Sequence, residues 1–400
     1  MGRMTHPRPH HKIDTGSIPL SLRRSGFFFM TAAAERAASI GANVERCPEV
    51  KDEEFSDMSE AERVAEAERQ RQEVLELARE MEQRAREERV PAVAQQMARM
   101  ALWHRGRARI LDFDPKQGGI CYNRCYYVDH ATFDLDEESP LGPSRFSKPH
   151  AKAKLYRLCA AVNIFSLKIV SSDVGFLIHV YGTLIARDTL DEKCVYLFRR
   201  DRDNSQFISS KDESLILTGP KRGLALINDL YVETDLKVKD PGGQDRQLSM
   251  GVLEIGGIAR RRLEKCEVES RSLATRLSTV DLMYAAVKLA VEAAIAIEVR
   301  PGDFNGKITA YTTSVQNRLV LYDSKVAGDM TCDENGAVQL MRPVISVCLE
   351  DKLIIAAKTG DGKSERAISF TPTENGGSCG EITVAATEMR VKVTWSIIHR

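Results

Sequence analysis

From Val162 to the C-terminus the chain alternates short apolar, β-branched runs with glycine- and proline-centred breaks, and this texture constrains the fold more than any other feature. Runs such as "VNIFSLKIV", "FLIHVYGTLIA", "DLYVETDLKVK", "KLIIAAKT" and "EITVAATEMRVKVTWSII" have the composition of strands. Between such runs stand Gly219-Pro220, Pro241-Gly242-Gly243, Gly256-Gly257, Gly360-Asp361-Gly362 and Gly376-Gly377, all turn chemistry. Short strands at regular spacing, without intervening helical periodicity, predict a mainly β domain over 162–400, an antiparallel β-sandwich or open barrel. One or two helical turns around 265–280 fit within that prediction.

The stretch 284–300, "YAAVKLAVEAAIAIEVR", tests it. Glu292-Ala293-Ala294 is similar to the Glu-Ala-Ala-Arg core of the plant ribosome-inactivating N-glycosidases, which works from a helix. Yet the odd positions Ala285, Val287, Leu289, Val291, Ala293, Ile295, Ile297 and Val299 are all apolar, while Lys288, Glu292, Glu298 and Arg300 fall on even ones. Period two is strand periodicity. It places Glu292 on the more polar face, and its length predicts a strand that bends or splits in two. Ile295 also stands where the glycosidases carry arginine, so Glu292 is not assigned a catalytic role.

Upstream, residues 1–56 are expected to form a disordered leader. The acid-poor, arginine-containing first 34 residues would also suit an organelle transit peptide, whereas Phe27-Phe28-Phe29-Met30 is too short for a signal-peptide core. Residues 57–101 predict a long charged α-helix. Ser56 or Ser59 can cap it, Glu60 and Glu62 follow, and no Gly or Pro interrupts before Pro91. Glu80–Arg84 and Glu82–Arg86 are spaced to pair along it. Its apolar stripe of Val74, Ala78, Met81 and Ala85 is thin, which favours a solvated single helix over a short coiled coil. Residues 102–160 read as a linker. Its aromatics Tyr122, Tyr126, Tyr127 and Phe133 should dock on the β domain or a partner, and its acidic, proline-flanked 134–143 should form no packed element.

The formal net charge is zero, so the basic excess that accompanies phosphate-backbone binding is missing and nucleic acid is not the expected partner. The nine cysteines are scattered and form no C-x-x-C pair. Reduced thiols and an intracellular, cytoplasmic setting follow as the expectation. No apolar run reaches the length of a membrane span.

Other constellations are weaker. Gly362-Lys363-Ser364 imitates a phosphate loop, but Ala357 stands where its first glycine belongs and strand sequence follows, so a hairpin turn is expected. Asp188, Asp191, Asp201 and Asp203 have the carboxylates of a calcium site, but Arg187, Arg199, Arg200 and Arg202 interleave with them and predict local ion pairs. Arg260-Arg261-Arg262 with Lys265 is the densest basic spot, and Glu264, Glu267 and Glu269 offset it. Cys121 and Cys125 with His104 or His130 have no standard zinc spacing. His179 and His399 are the histidines of the β region and offer little for acid–base chemistry.

Longer strings carry a resemblance. "VYGTLIARDTLDEKCVYLFRRDRDNSQ", "LILTGPKRGLALI", "CEVESRSLATRLSTVDLMYAAVKLAVEA", "LIIAAKTGDGKSER" and "MRVKVTWSI" closely resemble the plant, mostly cereal, domain family DUF6598, over about residues 162–400. The resemblance implies a β-rich domain without an assigned activity and brings no catalytic residues to carry over. Some plant chains of this kind are joined to a ribosome-inactivating module. The expectation is therefore a non-catalytic binding or interaction module with a protein partner and with no catalytic, cofactor-binding or metal residues. The alternative is a defence-related hydrolase akin to the rRNA N-glycosidases, acting through Glu292.

Overall fold

A computed structural model describes residues 58–143 and 158–398, apart from residues 127, 131–132, 241, 261–262, 301–303, 329 and 334–335. The leader expected over 1–56 and the cap candidate Ser56 lie outside the described residues.

The charged segment begins as α1 (Glu60–Glu87), and Ser59 caps it. The Ser59 hydroxyl accepts from the Glu62 N–H and the Glu62 carboxylate accepts from the Ser59 N–H, a reciprocal capping box. The single long helix expected here is broken at 88–90. Pro91 has no N–H to donate and opens α2 (Pro91–Ala108) instead. The two helices pack as a hairpin on alanines, Ala78 and Ala101 being fully buried. Glu82 pairs across it with Arg105 (2.6 Å) rather than along its own helix with Arg86.

The described part of the linker forms a strap laid on the β region. β1 (Leu111–Asp114) and β2 (Gly119–Tyr122) form an antiparallel hairpin.

The first sandwich runs through β3 (Ala160–Ser172), β4 (Ile178–Arg187), β5 (Val195–Arg200), β6 (Gln206–Ile208), β7 (Leu224–Leu226), β8 (Asp229–Val238), β9 (Arg246–Gly256), β10 (Glu267–Thr275) and β11 (Ser278–Val287). One sheet has the order β10-β11-β3-β7 and the other β5-β4-β8-β9, with β6 on β4. Every strand pair is antiparallel, and one aliphatic core, with Ile164, Leu184, Leu197, Val232, Ile255 and Leu282 at its centre, joins the two sheets. The helical turns allowed around 265–280 do not form. β10 and β11 make a hairpin there, turning at Arg276, whose φ is +49°.

Arg276 also anchors the strap. Its N–H donates to the Asp114 carboxylate (2.9 Å), its guanidinium donates to the Phe113 carbonyl (2.9 Å) and pairs with Asp112. Farther along, Cys125, Val128, Phe133 and Leu135 pack on Tyr231 and Val252 of the β8–β9 face. Tyr126 and Phe133 therefore dock on the β region itself, with Tyr122 stacked on Tyr126 and Tyr126 edge-on to Tyr231, while Tyr127 lies outside the described residues. Even 137–139 is held, by backbone hydrogen bonds to Cys194.

The second sandwich runs through β12 (Ala290–Arg300), β13 (Gly306–Thr312), β14 (Leu319–Asp323), the short α3 (Ser324–Ala327), β15 (Val344–Cys348), β16 (Leu353–Thr359), β17 (Glu365–Phe370), β18 (Gly376–Val384) and β19 (Thr387–Ile397). Its sheets are β15-β12-β19-β18 and β14-β13-β16-β17. Trp395 lies fully buried in its core, and its indole N–H donates to the Ser378 hydroxyl (2.9 Å).

The stretch 284–300 joins the two. It is β-structure, split at Lys288-Leu289, where Leu289 takes φ +42°. The parity changes at that point. Val280, Leu282, Tyr284 and Ala286 face the first core, whereas Val291, Ala293, Ile295 and Ile297 face the second. What the sequence presents as one alternation is two strands of opposite register around a kink. The residues left over, Ala285 and Val287, face away from the first core, and Val287 enters a small seam cluster with Ala161, Ala225, Ala290, Cys348 and Ile398.

Candidate functional site

The seam is cross-tied. The Asn163 side chain of β3 donates to the Ser346 carbonyl (2.7 Å) and accepts from its N–H (2.9 Å), standing in for a strand partner at β15. Glu292 belongs to this seam and not to a polar face. It is 2% exposed, and its carboxylate accepts from the Gly223 N–H and the Ser396 hydroxyl. A Cβ at Gly223 would stand 2.8 Å from the Ile398 methyl and 3.1 Å from Glu292, so glycine is what lets that amide approach. Period two failed to place Glu292 because the second sheet's outward face is covered here by the first sandwich.

Beside the seam the sandwiches part into a cleft of roughly 470 Å³, within the range of small-molecule sites. The first sandwich lines it with Phe165 and Lys168 of β3, Leu215 and Leu217 of the chain before β7, and Met283 of β11. The second contributes Lys307, Arg318, Val320 and Asp323, Val326 of α3, and Met341 and Arg342 of the approach to β15. Asn317 reaches across to the Met283 sulfur (3.3 Å).

Four cationic side chains line this cleft against one carboxylate. Lys307 binds that carboxylate, Asp323, at 2.7 Å. Asp323 also accepts from the Lys325 N–H (3.1 Å) as the N-cap of α3. Arg318 pairs outward with Glu365 (2.6 Å) and lies over the Tyr311 ring. Lys168 and Arg342 have no acidic partner among the described residues. Arg342 is the unusual one. It is 3% exposed, one guanidinium nitrogen donates to the Ile164 carbonyl across the cleft, and its Nε has no hydrogen-bond partner. Burial alone brings its pKa down from 12.5 to about 9. A buried guanidinium without a carboxylate carries a desolvation penalty, which the hydrogen bond to the Ile164 carbonyl offsets only in part. Buried arginines are ordinarily paired, so the arrangement is complementary to an anion from outside the chain.

Elsewhere buried charges are closed off. Arg187 pairs with Glu233 (2.7 Å), which also accepts from Arg124 (3.2 Å) and the Cys125 N–H (2.9 Å). Burial pushes the Glu233 carboxyl up, but the hydrogen bond and charge of Arg187 outweigh it and hold the group below its ordinary range. Arg222 grips Asp188 with two bonds (2.7 and 2.9 Å) and reaches Asp191 (3.1 Å). Of the acidic cluster 188–203, Asp188 and Asp191 are paired, but with the distant Arg222, since Arg187 is taken by Glu233, Arg199 lies 3.7 Å from Glu138 and Arg202 pairs with Asp245. Asp203 is exposed, 3.9 Å from Lys239.

Gly362-Lys363-Ser364 forms the turn between β16 and β17, with Gly362 at φ +74° and the Thr359 N–H bonded to the Ser364 carbonyl (2.9 Å). Arg260 is bound bidentately by Glu269 (2.6 Å), while Arg261 and Arg262 lie outside the described residues. Cys121 lies in β2 and burial pushes its thiol up to about 12, Cys125 packs under Tyr231, and His104 and His130 are each half-buried or more around α2. His179 is exposed beside Phe207, and His399 lies outside the described residues. No helix of the described residues is long and apolar enough to cross a membrane.

Sequence reading missed Arg342. The signal was present in "LMRPVISVCL", an arginine inside an apolar run with no acid nearby before Glu350.

Among solved structures the chain is similar to human GIVD cytosolic phospholipase A2, with 8% identity and a TM-score of 0.20, covering 60% of this chain and 30% of that one. The same enzyme in complex with methyl gamma-linolenyl fluorophosphonate gives 7% identity and a TM-score of 0.20, over 60% and 32% of the two chains. The chain thus spans about a third of that phospholipase's length, and a likeness this slight carries no argument. No curated protein matched the chain. The family described as "Domain of unknown function (DUF6598)" matches residues 161–393, more than half of the chain and nearly the whole of both sandwiches. The chain belongs to the DUF6598 family.

Proposed function

We propose that the chain is a non-catalytic binding module whose inter-sandwich cleft takes an amphipathic anion, a carboxylate or phosphate group joined to an apolar body. The single observation behind this reading is Arg342, a buried, acid-free guanidinium facing the cleft. The anionic head would lie on Arg342 with Lys168 at the mouth, and the apolar body along Leu215, Leu217, Met283, Val320 and Met341. Such a pocket fixes orientation by a few polar groups and gains affinity from apolar contact. The reading includes no reaction.

The test is titration calorimetry of the full chain with hexadecanoate, hexadecyl phosphate and hexadecanol. Binding of an anion and not of the neutral alcohol is expected, and the two anions distinguish the headgroups. Arg342→Met should weaken anion binding by at least about tenfold, the loss of one charge-assisted contact. The same substitution should raise the melting temperature of the ligand-free chain, because it removes an uncompensated buried charge. Equal binding of the alcohol, or a fall in melting temperature with unchanged anion binding, would make Arg342 a structural residue and remove the proposal. Binding only of an acidic peptide would replace the small anion with a protein partner.

A further inference from the structure

A second cluster lies at the seam, apart from the residues of the cleft's cationic lining. β15 ends in Cys348-Leu349-Glu350-Asp351, a turn in which the Asp351 N–H donates to the Cys348 carbonyl (2.9 Å). The turn sets the two side chains on one side with the two-residue spacing of a metal-binding knuckle. Cys266, just before β10 on the first sandwich, faces them. One ligand atom from each of Cys266, Cys348 and Asp351 lies within 4.8 Å of the other two.

We propose that Cys266, Cys348 and Asp351 form a binding site for a thiophilic divalent cation, zinc in the first place, with a fourth position left to water. Ligand atoms around tetrahedral zinc stand about 3.5–3.8 Å apart, given Zn–S of about 2.3 Å and Zn–O of about 2.0 Å. Rotation of the side chains closes the remaining ångström. Asp351 is already oriented, since its two oxygens accept from the hydroxyls of Thr313 (3.1 Å) and Ser314, the outer-shell support that metal-binding carboxylates use. Lys288 is committed to Glu350 (2.7 Å), and Asp351 has no ion-pair partner among the described residues. Cys348 is buried, while Cys266 and Asp351 are partly exposed and leave an entry path. Binding converts both thiols to thiolates and releases their two protons to solvent.

The experiment uses the full chain, reduced, stripped with a chelator and titrated with Zn(II) and Co(II). One ion per chain, release of two protons and a thiolate-to-cobalt charge-transfer band are expected. Cys266→Ser should abolish the band with the circular dichroism unchanged. Asp351→Asn, which keeps an oxygen for the hydroxyls, should weaken Zn(II) binding by at least about tenfold. Replacing the exposed Cys332 and Cys379 with serine should leave the band intact. Absence of the band, its survival in Cys266→Ser, or a Cys266–Cys348 disulfide that excludes the ion from the chain as isolated would overturn the site.

Discussion

The two sandwiches share an antiparallel, two-sheet architecture and differ in how one buried charge, Arg342, is treated. The first buries Arg187, Asp188, Arg222 and Glu233, and every one of them is closed by a partner of opposite sign. Those pairs also hold the strap, since Glu233 accepts from Arg124 and from the Cys125 N–H. The second packs around Trp395 and offers one buried guanidinium, Arg342, with no acidic partner. Charge in the first sandwich serves to fasten the N-terminal segment. In the second, Lys307 closes Asp323, and Arg342 alone is left open at a cleft. A common architecture thus says little about what a buried ionisable group is for, and its partner list says a good deal.

The strongest way to break this comparison is to break one anchor in each half. Glu233→Ala leaves Arg187 buried without its carboxylate, held only by the carbonyls of Glu192 and Leu135, and should cost about 3–5 kcal/mol in denaturant unfolding. Arg187→Met combined with Glu233→Met should recover most of that loss. Trp395→Ala should cost about 3–5 kcal/mol through the cavity it leaves. Hydrogen exchange sharpens the point. Glu233→Ala should expose β8, β9 and the strap first, and Trp395→Ala should expose β12 and β19 first. Simultaneous loss of protection in both halves would show one cooperative unit and end the comparison.

A smaller effect concerns pH. Burial, with Arg107 nearby, lowers His104 and His130 from the ordinary value of 6.5. The folded chain therefore resists protonation that the unfolded chain accepts. Stability is whole above about pH 6.5 and falls as pH drops below it, whereas the Glu233 contribution persists until its ordinary value of 4.5 is approached from above and is lost on further acidification. The helical hairpin and strap should loosen before the first sandwich does. Trp103 lies edge-on to His104 at 5.0 Å, so its emission in a Trp395→Phe chain should shift on acidification from pH 7 to 5. An unchanged spectrum over that range would disconnect these histidines from the attachment.

The smallest effect lies at the joint. Leu289 holds φ +42° and is 41% exposed, so Leu289→Gly should relieve about 1 kcal/mol of backbone strain without loosening either core. Thermal unfolding would register it as a small rise.

Much of the fold was legible. Strand texture from Val162 onward, the capped start of α1 at Ser59 and the hairpin at Gly360-Asp361-Gly362 follow from local periodicity and turn chemistry, which the structure retains. The helix break at Pro91 was also marked by the missing N–H, although its consequence, a folded-back hairpin, was not. Arg342 and Glu292 were not legible, because whether a charge is buried depends on what covers it.

The sequence by itself determined the antiparallel β character, the charged helical segment and the family, because alternation, capping and long shared strings are properties of neighbours along the chain. Only the tertiary structure decided that there are two sandwiches, that the strap lies on the first of them, and that a guanidinium is stranded between the pair. The reason is physical. A one-residue change of parity at Lys288-Leu289 turns every following side chain to the other face, and no local rule reports which core each face will meet.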